Sequence, residues 1–475
     1  KGTIPPHLFV FFTGAAVMAT EMTASRFIAP WFGTSTIVWS VLISTVLAAM
    51  SLGYWYGGKL ADRKPSWSLL YSLPVITGVL IALIPFLGRL LFSGLTAGIR
   101  STPANVILLS FLGIVAVFVP PVFVLAMVSP FMVKLLARSD NTGRTAGSLY
   151  AMSTLGSIFG TLTPTLVSIP LLGTRETLFI CSGVLILLGG MGLGRKKAAV
   201  FLLLLLPAAG WILSGHAVKR LNHVIHEEES SYQYLQVQRR DDGTTLLIVN
   251  EGGAMQSIAR VNDVLNPAST YYESYLLLPY MVDPSPDPRI LIVGAGAGTI
   301  PHLLSVHVSR SFPEMELEAV EIDPRATELG YLYFGSTPEE CTVHTADGRS
   351  FMDSAEGAWD IIVTDTYSNQ TYIPFHLTTL EYFSAMKDRL SPGGIAAMNV
   401  NALDETSELL NSIGRTAGEV FAHVYLAPVA DDYNYMLLAS DSPLSPPDGD
   451  SMGVWNPDLQ YTAQLFQPAF EPFQP

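Results

Sequence analysis

Apolar residues are spread unevenly along the chain. From residue 6 to about 215 they run in long, almost uncharged stretches, and from residue 216 onward they come in short runs broken by polar and turn residues. Stretches at 8–28, 35–57, 69–92, 106–136, 147–172, 177–194 and 198–213 predict helices. At about 1.5 Å per residue they can cross a hydrocarbon core roughly 30 Å thick. Residues 1–215 are therefore expected to form a transmembrane helical domain of about seven spans, with the lipid bilayer as a partner. Pro120 and Pro121 predict a kink in the fourth span. Small residues at Ser51, Gly53, Gly57, Gly58, Gly147, Gly156 and Gly160 predict close helix packing.

The later pattern is different. Alternation over residues 229–250, centred on Asp241, Asp242 and Gly243, predicts a hairpin and hence a small antiparallel sheet within a subdomain at 216–282. A helical stretch at 270–281 and a Pro-rich linker at 283–288 follow. Short apolar runs at 290–293, 316–321, 342–345, 360–364, 394–400, 423–426 and 435–439, mostly separated by helical spacing, predict a Rossmann-like α/β domain over 283–441. The Pro-rich tail, 442–475, is expected to be irregular.

Composition and charge narrow the function classes. A mean hydropathy of +0.37 is too high for a chain that is soluble throughout, and a net charge of −14 argues against a nucleic-acid partner, which needs a basic face. Two cysteines, Cys181 and Cys341, cannot build a disulfide framework, and no cluster of His, Cys and acidic residues has metal-ligand spacing. No cleavable signal peptide is visible, and the opening KGTIPPHL looks trimmed. Basic residues gather at Lys59, Arg63 and Lys64, at Lys134, Arg138 and Arg144, and at Arg195, Lys196 and Lys197. The positive-inside rule puts those loops in the cytoplasm. Seven spans would then carry the C-terminal half to the opposite side, whereas the supply of its ligand argues for a cytoplasmic catalytic domain. Glu21 and Arg26 lie in or at the end of the first span; a polar neighbour and the headgroups could satisfy them, or they could line a substrate or ion path.

The candidate chemistry centres on residues 289–323. A buried strand runs into Gly294, Gly296 and Gly298, and a helix begins at once, so free N–H groups and bare backbone face whatever binds at the turn. The next strand ends in Glu321, placed to hold ribose hydroxyls, which makes this a nucleoside site. Thr299 stands where the dinucleotide fingerprint needs its third glycine, and no P-loop lysine is present. Asp347 and Asp365 end two further strands, where an open α/β sheet places its ligand contacts.

The G-x-G-x-G spacing resembles that of S-adenosylmethionine (SAM) enzymes. More specifically, the order Ser230 to Gln233 (S-x-Y-Q), Gly253 to Gln256 (G-x-x-Q), Tyr271 and Glu273, the glycine turn, Glu321 to Pro324 (EIDP), Ala346 to Arg349 (ADGR) and Asp360 to Asp365 (DIIVTD) resembles the spermidine synthase family. With the membrane half, where GGKLADRK is similar to a loop of major-facilitator transporters, the whole chain resembles the membrane-fused spermidine synthases. The resemblance implies SAM or decarboxylated SAM as substrate and no metal. It places Glu321 at the ribose hydroxyls, Asp347 and Gly348 at the adenine edge, and Gln233 and Gln256 at the nucleoside and sulfur end, with Asp323 among the cofactor-binding residues. It makes Asp365 the central acid, followed by Thr366, with Tyr271 and Tyr367 as pocket walls and Tyr271 a catalytic partner. Soluble members are often dimers or tetramers, so a homo-oligomer is implied.

Two departures stand out. Ala297 occupies the place of the acid that grips the amine of decarboxylated SAM, and Ser368 the place of the acid that grips the diamine. Asp263 is the nearest candidate for an acidic pair that otherwise precedes the Tyr271 position. Four readings stay open: aminopropyl transfer to an amine, cleavage of intact SAM to methylthioadenosine and homoserine lactone, methyl transfer, and a nucleoside-sensing transporter.

Overall fold

The computed structural model describes residues 4–33, 35–96, 103–137, 141–193, 195–213, 223–250, 255–268, 270–282, 287–367, 372–402, 404–429 and 433–473. Arg138, Gly253, Ser368 and most of the 283–288 linker lie outside the described residues. The chain divides into two compact units. One comprises residues 1–222 with 227–234 and 250–252, and the other the remainder.

The first unit is helical: α1 (Pro6–Phe32), α2 (Thr36–Arg63), α3 (Trp67–Thr96), α4 (Pro103–Ala126), α5 (Val128–Leu136), α6 (Thr142–Thr163), a π-turn at Pro164–Ser168 leading into α7 (Ile169–Leu172), α8 (Thr174–Leu193) and α9 (Leu205–Leu213). Among the described residues six helices, not seven, are long and apolar enough to cross a membrane, with α4–α5 and α6–α7 each counting as one. The stretch expected at 198–213 yields only a short apolar helix, Ala199–Ile212, below the ~20 residues a crossing needs. Helix α4 runs through Pro120 and Pro121 and breaks at Met127, whose N–H takes the tighter bond to the Val124 carbonyl at 3.3 Å.

Close packing falls where the glycines are. A Cβ at Gly156 or Gly160 would lie 2.0 Å from the carbonyl oxygens of Phe11 and Ala15, so α6 and α1 meet backbone to backbone. Gly53 and Gly57 meet Phe123 and Met127 in the same way, whereas Gly58 and Gly147 face open space. Glu21 is buried, and the Arg26 guanidinium donates to the Ser231 carbonyl. Leu47, Leu52, Trp55, Leu87, Leu90, Leu155 and Leu166 are exposed, an apolar exterior suited to lipid.

A four-stranded sheet follows, in the order β1 (Val224–Glu229), β2 (Tyr234–Arg239), β3 (Thr245–Val249), β4 (Met255–Ala259). The β2–β3 hairpin turns at Asp241–Gly243, as the alternation predicted, with Gly243 at φ +85°.

The α/β body of the second unit consists of β5 (Arg289–Val293), α10 (Thr299–His307), β6 (Glu316–Glu321), α11 (Pro324–Leu329), β7 (Thr342–Thr345), α12 (Gly348–Ser354), β8 (Trp359–Thr364), α13 (Leu380–Arg389), β9 (Leu390–Asn401), α14 (Glu408–Gly418), β10 (His423–Val429) and β11 (Asn434–Ser440). The predicted 270–281 helix is a 3-10 helix, Tyr272–Tyr280. The tail is ordered rather than irregular: α15 (Gly449–Trp455), α16 (Gln460–Phe466) and a short β12 (Glu471–Pro472). Pro457 and Pro468 sit at the starts of short 3-10 turns, and Met452, Leu459, Ala463 and Phe466 are buried in the core, which outweighs the local composition.

The eight strands order as β12-β10-β11-β9-β8-β5-β6-β7. Strands β9-β8-β5-β6-β7 are parallel, and β11, β10 and β12 pair antiparallel beyond them. Both faces of β5 are covered: Ile290 and Ile292 join one core and Leu291 and Val293 another, which explains a continuous apolar run without alternation. Connections leave β5 toward β6 on one side, while β8 lies on the other. The strand order therefore reverses at β5/β8, and ligands of such sheets bind at the carboxyl ends there.

Candidate functional site

The glycine turn and the end of β8 meet at that reversal. The Asp365 N–H donates to the Val293 carbonyl at 2.9 Å, and Gly294, at φ +92°, donates to the Val320 carbonyl at 2.8 Å. A Cβ on Gly294 would lie 2.3 Å from the Asp365 carbonyl oxygen. The turn is also held from β4: the Ala297 N–H donates to Ser257 Oγ at 2.8 Å, and Thr299 Oγ1 exchanges bonds with the Ile258 backbone at 2.9 and 3.0 Å. Thr299, which breaks the dinucleotide pattern, thus serves as the clasp between the turn and the antiparallel sheet.

Glu321 is 7% exposed, and its two oxygens accept from the N–H groups of Gly296 (2.8 Å) and Asp323 (2.9 Å). Burial pushes its carboxyl up to about 7 against those two bonds. It is thus aimed at the glycine turn. Asp323 instead caps α11, accepting from the Arg325 N–H at 3.1 Å. Asp347 caps α12 through the Ser350 N–H at 2.9 Å and lies 3.5 Å from His376 Nε2. Burial would raise its carboxyl, but the Ser350 bonds and His376 outweigh that and hold it below the ordinary range. Gly348 gives close passage, since a Cβ there would meet Val293 at 2.5 Å.

Asp365 is the hub of the polar network. Tyr271 OH reaches both its oxygens, at 2.9 and 3.2 Å, and Asn399 Nδ2 donates at 3.2 Å. Burial pushes Asp365 up to about 6, with those donors pulling the other way. Tyr367 OH donates to the Asn399 carbonyl (3.0 Å) and accepts from the Asn401 N–H (2.8 Å), while Gln256 Nε2 donates to the Tyr367 carbonyl at 2.7 Å. Burial, then the charge of Asp365, raises the phenols of Tyr271, Tyr272 and Tyr275. Gln233 is buried in the turn its S-x-Y-Q motif predicts, where Ser230 Oγ accepts from its N–H at 2.9 Å; it groups with the helical unit.

Asn399, Tyr272 and Tyr275 were missed in the sequence because they carry no motif. The cue was periodicity: Tyr271, Tyr272 and Tyr275 recur at helical spacing on an otherwise apolar segment, and Asn399 interrupts the apolar run of β9. Asp263, the candidate for a displaced acid, lies 3.3 Å from His302 Nε2. The buried Glu273 accepts from Arg260 (2.5 Å), Thr270 Oγ1 (2.5 Å) and the Asn266 N–H (3.0 Å), pinning the segment that presents Tyr271. Glu273→Ala removes the carboxylate that pairs with the Arg260 guanidinium, which is 14% exposed, and is expected to cost about 3 kcal/mol, read as a lowered thermal midpoint.

Residues 269–436 match the spermine/spermidine synthase domain. The C-terminal half carries a spermidine synthase domain. The chain is 32% identical over 212 residues to a probable polyamine aminopropyl transferase of Bifidobacterium longum, covering 44% of this chain and 45% of that one. The chain thus spans less than half the length of that relative. It is 21% identical over 457 residues to polyamine aminopropyltransferase 2 of Aquifex aeolicus, covering 92% of this chain and 88% of that protein, so the match extends across the helical half. A probable spermidine synthase from Corynebacterium glutamicum superposes with a TM-score of 0.39 at 19% identity, covering 49% of this chain and 86% of that one. The spermidine synthase domain therefore sits behind a region of six long apolar helices.

Proposed function

We propose that this chain is a membrane-bound enzyme that attacks the sulfonium of SAM or decarboxylated SAM and releases methylthioadenosine, in the manner of an aminopropyltransferase. The observation that carries this reading is the Tyr271–Asp365–Asn399 network at the strand reversal, directly beside the glycine turn. A sulfonium makes each attached carbon electrophilic, so the protein has only to position a nucleophile, exclude water and orient charge. Glu321 would take the ribose hydroxyls, Asp347 and Gly348 the adenine edge, and Gln256 and Tyr367 the wall near sulfur. Asp365, mostly ionised near neutrality, would orient the attacking amine and accept its proton as the new N–C bond forms and the C–S bonding pair returns to sulfur.

Six crossings return the chain to the side from which it started. The basic loops and the catalytic half then share the cytoplasmic side, which removes the conflict that a seventh crossing would create. Purified full-length protein incubated with SAM, or with decarboxylated SAM plus putrescine, tests the reading through its products. Methylthioadenosine supports sulfonium attack. S-adenosylhomocysteine alone would identify a methyltransferase, and nucleoside binding without turnover a sensor or transporter.

A further inference from the structure

Glu21 stands in the second half of α1, and only 6% of it is exposed. Among the described residues no hydrogen bond or ion pair reaches its carboxyl, and no charged group on α2 to α6, on α8 or on the π-turn, the elements packed against α1, acts on it. The donors nearest in the chain are spent on their own helix. Thr20 Oγ1 donates to the Ala16 carbonyl at 2.7 Å, Thr23 Oγ1 to that of Ala19 at 2.5 Å and Ser25 Oγ to that of Met22 at 2.8 Å. Arg26, the only Lys or Arg in α1, turns to the Ser231 carbonyl, and its charge acts on Glu229.

The level of Glu21 in the bundle is also unusual. Helices α1 and α6 run side by side in one register, with Phe11 against Gly156 and Ala15 against Gly160. Carried on, that register brings Glu21 level with Leu166, in the middle of the π-turn Pro164–Ser168. Such turns recur at functional positions of helices, and this one packs against both α1 and α8. Its Ser168 Oγ accepts from Thr177 Oγ1 at 3.1 Å, and the first turn of α8, Thr174 to Thr177, is buried although all four side chains are polar. An uncompensated carboxyl thus sits where the fifth span is irregular and polar groups line its neighbour.

In these surroundings a carboxylate costs far more than the acid form, so Glu21 carries its proton while the helices are packed. Release of that proton leaves a buried charge without a donor, which the packed arrangement cannot hold. Water has to reach it, and α1 must part from α6 to let it in. We propose that Glu21 is a proton-binding site of the helical half, with proton release coupled to opening of the α1–α6 contact. The O–H bond breaks with its pair left on the carboxylate, and the proton passes to water. The helical half thereby has a proton-coupled motion of its own, which does not depend on the sulfonium reading given above.

The test is amide hydrogen exchange of the full-length protein in detergent micelles, normalised to the intrinsic rate at each pH, for the unsubstituted chain and Glu21→Gln. We expect normalised exchange over residues 11–24 and 156–168 to rise at least about tenfold between about pH 6 and about pH 9 in the unsubstituted chain. In Glu21→Gln, which imitates the acid form at every pH, it should stay within about twofold. The infrared difference between the two proteins near neutral pH should contain the carbonyl stretch of a protonated carboxylic acid. The thermal midpoint of Glu21→Gln should not fall, since a neutral amide replaces a neutral acid, whereas an ionised structural carboxylate would leave its partner uncompensated. Equal exchange profiles, a carboxylate band in place of the acid band, or a Gln variant that fails to assemble overturns the inference. Each of these outcomes leaves the sulfonium reading standing.

Discussion

Asp365→Asn is expected to lower turnover by roughly 10²-fold or more while nucleoside binding stays nearly intact. The substitution keeps the shape that Tyr271 and Asn399 enclose and removes the only carboxylate in that network. Nucleoside contacts lie elsewhere, at Glu321 and the glycine turn, so affinity and rate should separate. The same group sets a pH signature. Asp365 must be ionised to take a proton, and burial moves its ionisation from 3.8 to about 6, so kcat/KM should rise through about pH 6. That limb should vanish in the Asn variant. A rate within about twofold of the original, with the limb unchanged, would remove the assigned role.

Stability should run the other way. Asp365 and Glu321 hold their protons more tightly folded than unfolded, since burial raises them to about 6 and about 7 from 3.8 and 4.5. The folded state therefore binds more protons between roughly pH 4 and 7, and stability of the ligand-free protein should decline across that window as pH rises. Asp365→Asn should flatten its share of the decline, measured as thermal midpoint against pH.

Legibility in the sequence followed how local each determinant was. The β5–α10 turn could be read because three glycines within five residues state a backbone requirement, and positive φ occurs at all three. The β2–β3 hairpin was legible for the same reason. The span count was less so, because length and apolarity near residues 198–213 do not reveal where regular helix stops. The tail misled, since its prolines suggest irregularity while the burial of Met452 and Phe466 is decided by surfaces far away in the chain. Asp365 could be found from its strand tip, but its environment could not. Asn399 donates to it from β9, and Tyr272 and Tyr275 pack beside Tyr271 on a 3-10 turn much earlier in the chain; no spacing rule connects such positions. The Asp323 side chain caps α11, a role that its place before Pro324 would have suggested.

Gly294→Ala should be more damaging than any of the side-chain changes considered for the pocket, because it breaks two requirements together. At φ +92° the backbone occupies a region that costs a residue with a Cβ about 1–3 kcal/mol. The added Cβ would also sit 2.3 Å from the Asp365 carbonyl oxygen and 2.6 Å from Thr366 Cγ2. The oxygen is backbone, on a residue whose own N–H is bonded to the Val293 carbonyl, so it cannot swing aside as the end of a flexible side chain would. Relief requires β5 and β8 to part at their tips, where the glycine turn meets Asp365. The expected result is a domain destabilised by several kcal/mol with no measurable turnover, in which nucleoside affinity falls along with rate, in contrast to Asp365→Asn. Gly418→Ala is the control: that glycine ends α14 with nothing within 4 Å of a built Cβ, and its substitution should leave binding and rate unchanged. Normal SAM binding by Gly294→Ala would show that the β5 and β8 tips do not form the pocket.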